Sequence, residues 1–74
     1  MVNKDIHKII LYHRKRSGLS RIELAELAGV GKTVVYDIEH GKKTVKWITV
    51  LSILTALNIS IHFQSPLMES YEKS

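Results

Sequence analysis

The run Gly29-Val30-Gly31-Lys32-Thr33 holds the residue types of a phosphate-cradling loop. Glycines let backbone N–H groups close on an anion, lysine supplies charge and threonine a hydroxyl. That loop, however, needs a further glycine five positions before the Gly-Lys-Thr, and a strand leading into it. Here Glu26 stands at that position and no strand pattern precedes it, so nucleotide chemistry is not expected. His7, His13, His40 and His62 lack the spacing of metal ligands, and without cysteine there is no thiolate site or disulfide. Serine, histidine and aspartate all occur, but in no arrangement resembling a nucleophile elbow. The sequence therefore predicts neither an enzyme nor a cofactor.

What remains is charge. Residues 1–64 carry 10 basic and 5 acidic side chains, a difference of +5, whereas residues 65–74 carry 1 and 2, a difference of −1. A basic folded part suits a polyanionic partner, although a solvated surface would look the same on charge alone. Residues 1–5 form no secretory apolar run, and no stretch approaches the roughly 18 apolar residues of a membrane span. A cytosolic protein with no membrane partner is expected.

Several elements must position these charges. A chain of 74 residues is one domain with a marginal core. Asn3 can cap a first helix running to about Arg16, with Ile6, Ile9, Ile10 and His13 on one stripe and Ser17-Gly18 ending it. Ser20-Arg21-Ile22-Glu23 is a capping box for a second helix, with Ile22, Leu24, Ala25, Leu27 and Ala28 as its apolar faces. Gly29 stops it. A third helix runs from about Lys32 to Glu39, with Val35 and Ile38 facing inward and Gly41 ending it. Thr44 caps a fourth to about Leu57, where Trp47, Ile48, Leu51 and Leu54, with Ile53 on the flank, form a broad apolar stripe. Residues 59–64 then switch to a period of two, placing Ile59, Ile61 and Phe63 on one face of a strand. Residues 65–74 read as a polar, flexible tail.

The second and third helices are joined only by residues 29–31 and must cross steeply. Ala25 allows close approach, Gly29 permits positive φ, and Val35 fills the angle between them. Leu24, Val30 and Ile38 are further core positions. The spacing Ala-x3-Gly-x5-Val fits two short helices crossing at a tight turn, with an ordinary helical bundle as the plainer reading.

The stretch GLSRIELAELAGVGKTVVYDIEHGK, residues 18–42, resembles the XRE/Cro-type helix-turn-helix family, over roughly residues 6 to 57. The continuation WITVLSILTALNISIHF resembles the HipB-type antitoxins of that family. The resemblance implies a mainly α, four- to five-helix lambda-repressor-like DNA-binding domain over residues 1–64, whose third helix enters the major groove. It implies that Lys32, Thr33, Val34, Tyr36 and Asp37 lie where the family reads bases: Lys32 toward guanine, Thr33 toward a thymine methyl or a phosphate, Asp37 toward cytosine N4. Val34 and Asp37 depart from the Gln, Ser or Arg that many relatives carry. Arg21 corresponds to a backbone-contacting position of the family, and Arg14 and Glu39 to an inward-facing ion pair; His40, Lys42 and Lys43 follow the third helix within reach of the same strand, with a solvated turn as the plainer reading of Lys42-Lys43.

A lone strand cannot satisfy its own hydrogen bonds. The strand predicted at 59–64 is therefore expected to pair antiparallel with its copy in a homodimer, with Ile59, Ile61 and Phe63 buried on the fourth helices. Three such side chains offer roughly 6 kcal/mol per chain before ordering costs. The expected function is a repressor of a palindromic double-stranded operator, cytosolic and nucleoid-associated when bound. The resemblance further implies the autoregulating antitoxin of a HipBA/HipBST-like operon, with a kinase-like toxin as partner and Leu67, Met68 or Tyr71 as anchors. The competing reading is a protein–protein adaptor that uses the fold without DNA.

Overall fold

The computed structural model describes residues 5–73. Among them are five helices: α1 (Ile6–Arg16), α2 (Arg21–Ala28), α3 (Lys32–Glu39), α4 (Trp47–Ala56) and α5 (Met68–Lys73). The first four all close the same way. Each runs into a residue in the left-handed region: Gly18, Gly29, Gly41 and, after α4, Asn58 at φ 62°. The N–H of the following residue then donates back to the last turn: Leu19 to Arg14 at 3.2 Å, Val30 to Ala25 at 2.9 Å, Lys42 to Asp37 at 3.0 Å and Ile59 to Leu54 at 2.9 Å. This closure satisfies carbonyls that the helix leaves unpaired, and three times it uses the residue without a Cβ penalty.

At its other end α2 is fixed by the predicted capping box. Ser20 Oγ accepts from the Glu23 N–H at 3.0 Å, and Glu23 Oε1 accepts from the Ser20 N–H at 2.8 Å. Helix α2 packs on α3 and α4, and α1 on α3. Ile10, Leu24, Val35 and Ile53 are fully buried at the centre, joined by Ala25, Ile38, Val50, Leu54 and Leu57. Ala25, Gly29 and Val35 thus hold the α2–α3 turn as their spacing predicts.

The structure corrects several expectations. The inward stripe of α4 is Val50, Ile53, Leu54 and Leu57, while Trp47 is 53% exposed and Ile48 67%. This helix is apolar nearly all round, so periodicity alone does not select the face that packs. Ile22 and Leu27 of α2 likewise point to solvent. Thr44 does not cap α4; Lys46 occupies the cap position and contributes no side-chain bond. Asp5 precedes α1, also without a side-chain cap bond, and the cap read at Asn3 lies outside the described residues. His13 is half-buried rather than core, with Nδ1 donating to the Ile9 carbonyl at 2.7 Å.

The C-terminal region departs most. Among the described residues there is no strand, and residues 59–65 carry no secondary structure. Ile59 packs against the core, but Ile61 is 38% and Phe63 74% exposed. An extended segment becomes a strand only beside a hydrogen-bonding neighbour, and a single chain offers this one none. The residues read as a flexible tail include α5, a short helix with no buried residue. Its entry is fixed by Ser65, whose Oγ accepts from the Leu67 N–H at 3.3 Å, and it carries a Lys73–Glu69 ion pair at 3.3 Å. No helix of the described residues is long and apolar enough to cross a membrane.

Candidate nucleic-acid interface

Helix α3 turns Val35, Ile38 and Glu39 inward. Glu39 is a charged residue in that apolar setting, and its carboxylate is fully enclosed. Arg14 of α1 meets it with two donors: Nε on Oε2, and Nη2 on Oε1 at 3.1 Å. Arg21 of α2 adds a third, Nε on Oε1 at 2.9 Å. The remaining Arg14 nitrogen, Nη1, donates to the Leu19 carbonyl at 2.9 Å. Burial on its own would push the Glu39 pKa up. Hydrogen bonds from Arg14 and Arg21, followed by their charges, outweigh it and hold the pKa below the ordinary value. The Arg14–Glu39 pair read from the sequence is therefore present, with Arg21 as an additional member. Spacing in the chain gives no sign of that third contact, because the two residues lie 18 positions apart on different helices.

On the outward side, α3 is flanked by two hollows. The first is lined by Arg21, Lys32, Thr33 and Tyr36. The Arg21 guanidinium lies over the Tyr36 ring, 5.3 Å from its centroid, an attractive cation–π placement. His40 stacks on Tyr36, with centroids 3.9 Å apart, and its Nδ1 donates to the Tyr36 carbonyl at 2.8 Å. Their separation of four residues on one helix face could have signalled that contact. Gly31 precedes α3 without a side-chain cap; the Val34 N–H donates to the Gly31 carbonyl at 3.1 Å, and the Lys32 and Thr33 amides have no partner among the described residues. Unpaired first-turn amides favour an anion.

The second hollow is lined by Val34, Asp37, Lys42, Thr44, Val45, Lys46 and Thr49. Lys42 pairs with Asp37 at 3.5 Å, which partly neutralises the carboxylate. Val34 is half-buried and packs against the core, so little of it is available to a base.

The structure thus gathers Arg21, Lys32, Thr33, Tyr36 and His40 on one flank of α3, and Val34, Asp37 and Lys42 on the other. Lys43 lies apart, on a hollow shared with His7 and Trp47 near the start of α1. Lys46 and Thr49 join the second flank without having been picked out from the sequence, and so does Thr44, read there only as a helix cap. Two hollows carrying basic side chains thus border the exposed side of α3, an arrangement chemically suited to a polyanion.

Comparison with known proteins agrees with this geometry. Residues 10–64 match the family model described as Helix-turn-helix. The chain is also similar to a protein of Sinorhizobium fredii (strain NBRC 101917 / NGR234) named "Uncharacterized HTH-type transcriptional regulator y4mF". The two are 39% identical over 62 residues, which cover 84% of this chain and 82% of the relative.

Proposed function

The chain belongs to the helix-turn-helix family, and from that premise we propose that it is a sequence-specific double-stranded DNA-binding repressor that acts as a homodimer. The observation carrying this reading is the exposed first turn of α3, with Lys32 and Thr33 lining one basic hollow and a second hollow, with Lys42 and Lys46, on the other side of the helix. Lys32 donates to a base edge or an adjacent phosphate, Thr33 contacts a thymine methyl or a phosphate, and Arg21, Lys42 and Lys46 meet the backbones. The name of the Sinorhizobium relative, a transcriptional regulator, supports the regulatory part.

The homodimer reading rests on the segment after α4. Its exposed Ile61 and Phe63 and its unpaired backbone suit antiparallel pairing with the same segment of a second copy. Two-fold symmetry then calls for a palindromic operator with half-sites whole helical turns apart. We further assign the protein as the autoregulating antitoxin of a HipBA/HipBST-like operon. That assignment is supported by the resemblance of residues 47–63, and it makes Leu67 and Tyr71, both exposed beside or on α5, the anchors for a kinase-like toxin.

The test is a duplex-binding titration across salt concentrations. Specific binding to the protein's own promoter is expected. Lys32→Ala should weaken operator binding more than binding to unrelated duplex, whereas Arg21→Ala should weaken both and lower the salt slope by about 1. No duplex binding even at low salt would remove the repressor reading and leave an adaptor.

A further inference from the structure

We propose that Glu39 is a positioning residue for the DNA backbone contact, acting through Arg21, and not only half of a core ion pair. The inference rests on the DNA-binding reading above.

The two arginines on Glu39 are used differently. Arg14 is 8% exposed and spends Nε, Nη1 and Nη2 on Glu39 and Leu19. All three of its nitrogens are engaged, and at 9% side-chain exposure the guanidinium is too enclosed to meet a ligand. Arg21 has a side chain 41% exposed and spends only Nε. Its two terminal nitrogens have no partner among the described residues, and they open on the hollow shared with Lys32, Thr33 and Tyr36. A guanidinium is planar, so anchoring Nε to a buried oxygen while the guanidinium carbon sits 5.3 Å over the Tyr36 ring restricts the direction of both terminal nitrogens. Those two can bind a phosphate end-on, as a two-pronged donor.

The anchor itself is rigid. Arg14 donates to the Leu19 carbonyl while its own carbonyl accepts from the Leu19 N–H. This reciprocal bond pins the residue just before the Ser20 cap, and so the position from which Arg21 departs. Glu39 therefore fixes Arg21 twice, directly through Nε and indirectly through Arg14, Leu19 and the start of α2. An arginine ordered in advance loses less side-chain freedom on binding than a solvated one.

Lysine keeps the charge at position 21 but cannot hold Glu39 and offer a two-pronged donor at once. Using a mixed-sequence duplex of about two helical turns, Arg21→Lys is expected to lose nearly as much affinity as Arg21→Ala, roughly tenfold. Glu39→Gln, in which the carboxylate becomes an amide, is expected to weaken binding of the folded protein. That loss should shrink to within twofold when Arg21 is already alanine. In the free protein the Arg21 Nε–H should exchange with solvent much more slowly than that of Arg16, a readout that survives even if the Glu39 variant does not fold. Arg21→Lys binding within twofold of the unmodified protein would overturn the proposal. So would a Glu39→Gln loss of unchanged size on the Arg21→Ala background, or Arg21 Nε exchange as fast as that of Arg16. Failure of the unmodified protein to bind any duplex is a different result, because it removes the DNA reading itself.

Discussion

The hollows beside α3 are walled by Arg21, Lys32, Asp37, Lys42 and Lys46, whereas the two hollows beside the outer face of α4 contain no charged side chain. Of this second pair, one is lined by Leu27, Ala28, Ile48 and neighbours, the other by Ile59, Ile61 and neighbours, and they share Leu51 and Thr55. They are one continuous uncharged surface running from α2 across α4 to the segment after it. The chain has a net charge of +4, so two copies repel wherever their basic faces meet. On the uncharged side they can approach without desolvating an ion. The contrast is one of chemistry: the first face suits a polyanion, the second a surface without charge.

The largest effect that would break the contrast comes from Glu39, on which the charged face is built. Glu39→Ala leaves the Arg14 guanidinium buried without its counter-charge and should cost about 3 to 5 kcal/mol in urea unfolding. Acid should act on the same group. Its folded pKa lies below the ordinary 4.5, so the unfolded chain takes up the proton first. The stability Glu39 contributes is complete above that value and is lost as the pH falls through the folded pKa. The Glu39→Gln variant should show a weaker dependence on pH over that acid range. An identical acid profile for the two proteins would show that another carboxylate controls acid unfolding.

The next effect concerns the uncharged face. Ile61→Asp alters a side chain exposed in the single chain, so protomer stability should change by less than about 0.5 kcal/mol. A carboxylate brought into a dimer contact would have to be desolvated there, at about 2 kcal/mol or more, so association should weaken roughly thirtyfold or further. Sedimentation at several concentrations measures it. An unmodified protein that stays monomeric at all of them would mean this face serves another partner.

How much of this was legible beforehand follows from where the controlling interactions lie. Helix limits around the turn could be read because their determinants are local: the Ser20–Glu23 box and the glycines at 18, 29 and 41 act within a few residues. The inward face of α4 was legible only in part: Leu54 and Ile53 were in the stripe and are buried, but Trp47 and Ile48 are large apolar residues too, and only the placement of α2 turns them outward. Helix α5 has no apolar stripe to announce it. The alternation at 59–63 correctly marks apolar side chains, but a strand is a property of a pair of segments and this chain supplies one. At the candidate site, the Arg14–Glu39 pair came from family resemblance, whereas the Arg21 contact required the three helices to be folded together. Ser20→Ala checks the local part of this account. It should cost about 1 kcal/mol of stability and lower duplex affinity only as far as it loosens the Arg21 backbone.

The smallest stability effect, and the most discriminating, is at Lys42. Its pair with Asp37 is 3.5 Å long and its side chain is 55% exposed, so Lys42→Ala should change stability by no more than about 0.5 kcal/mol. Its effect on binding should exceed that of removing one phosphate contact, because Asp37 is then left uncompensated beside the duplex. The double variant Lys42→Ala, Asp37→Asn separates the two contributions. If Asp37 repels the backbone once unpaired, the double variant binds more tightly than Lys42→Ala alone. If Asp37 instead accepts from a cytosine amine, the double variant binds the cognate operator more weakly while its affinity for unrelated duplex rises. The sign of that difference, measured on both duplexes, decides whether the acidic residue on α3 reads sequence or only tempers the charge around it.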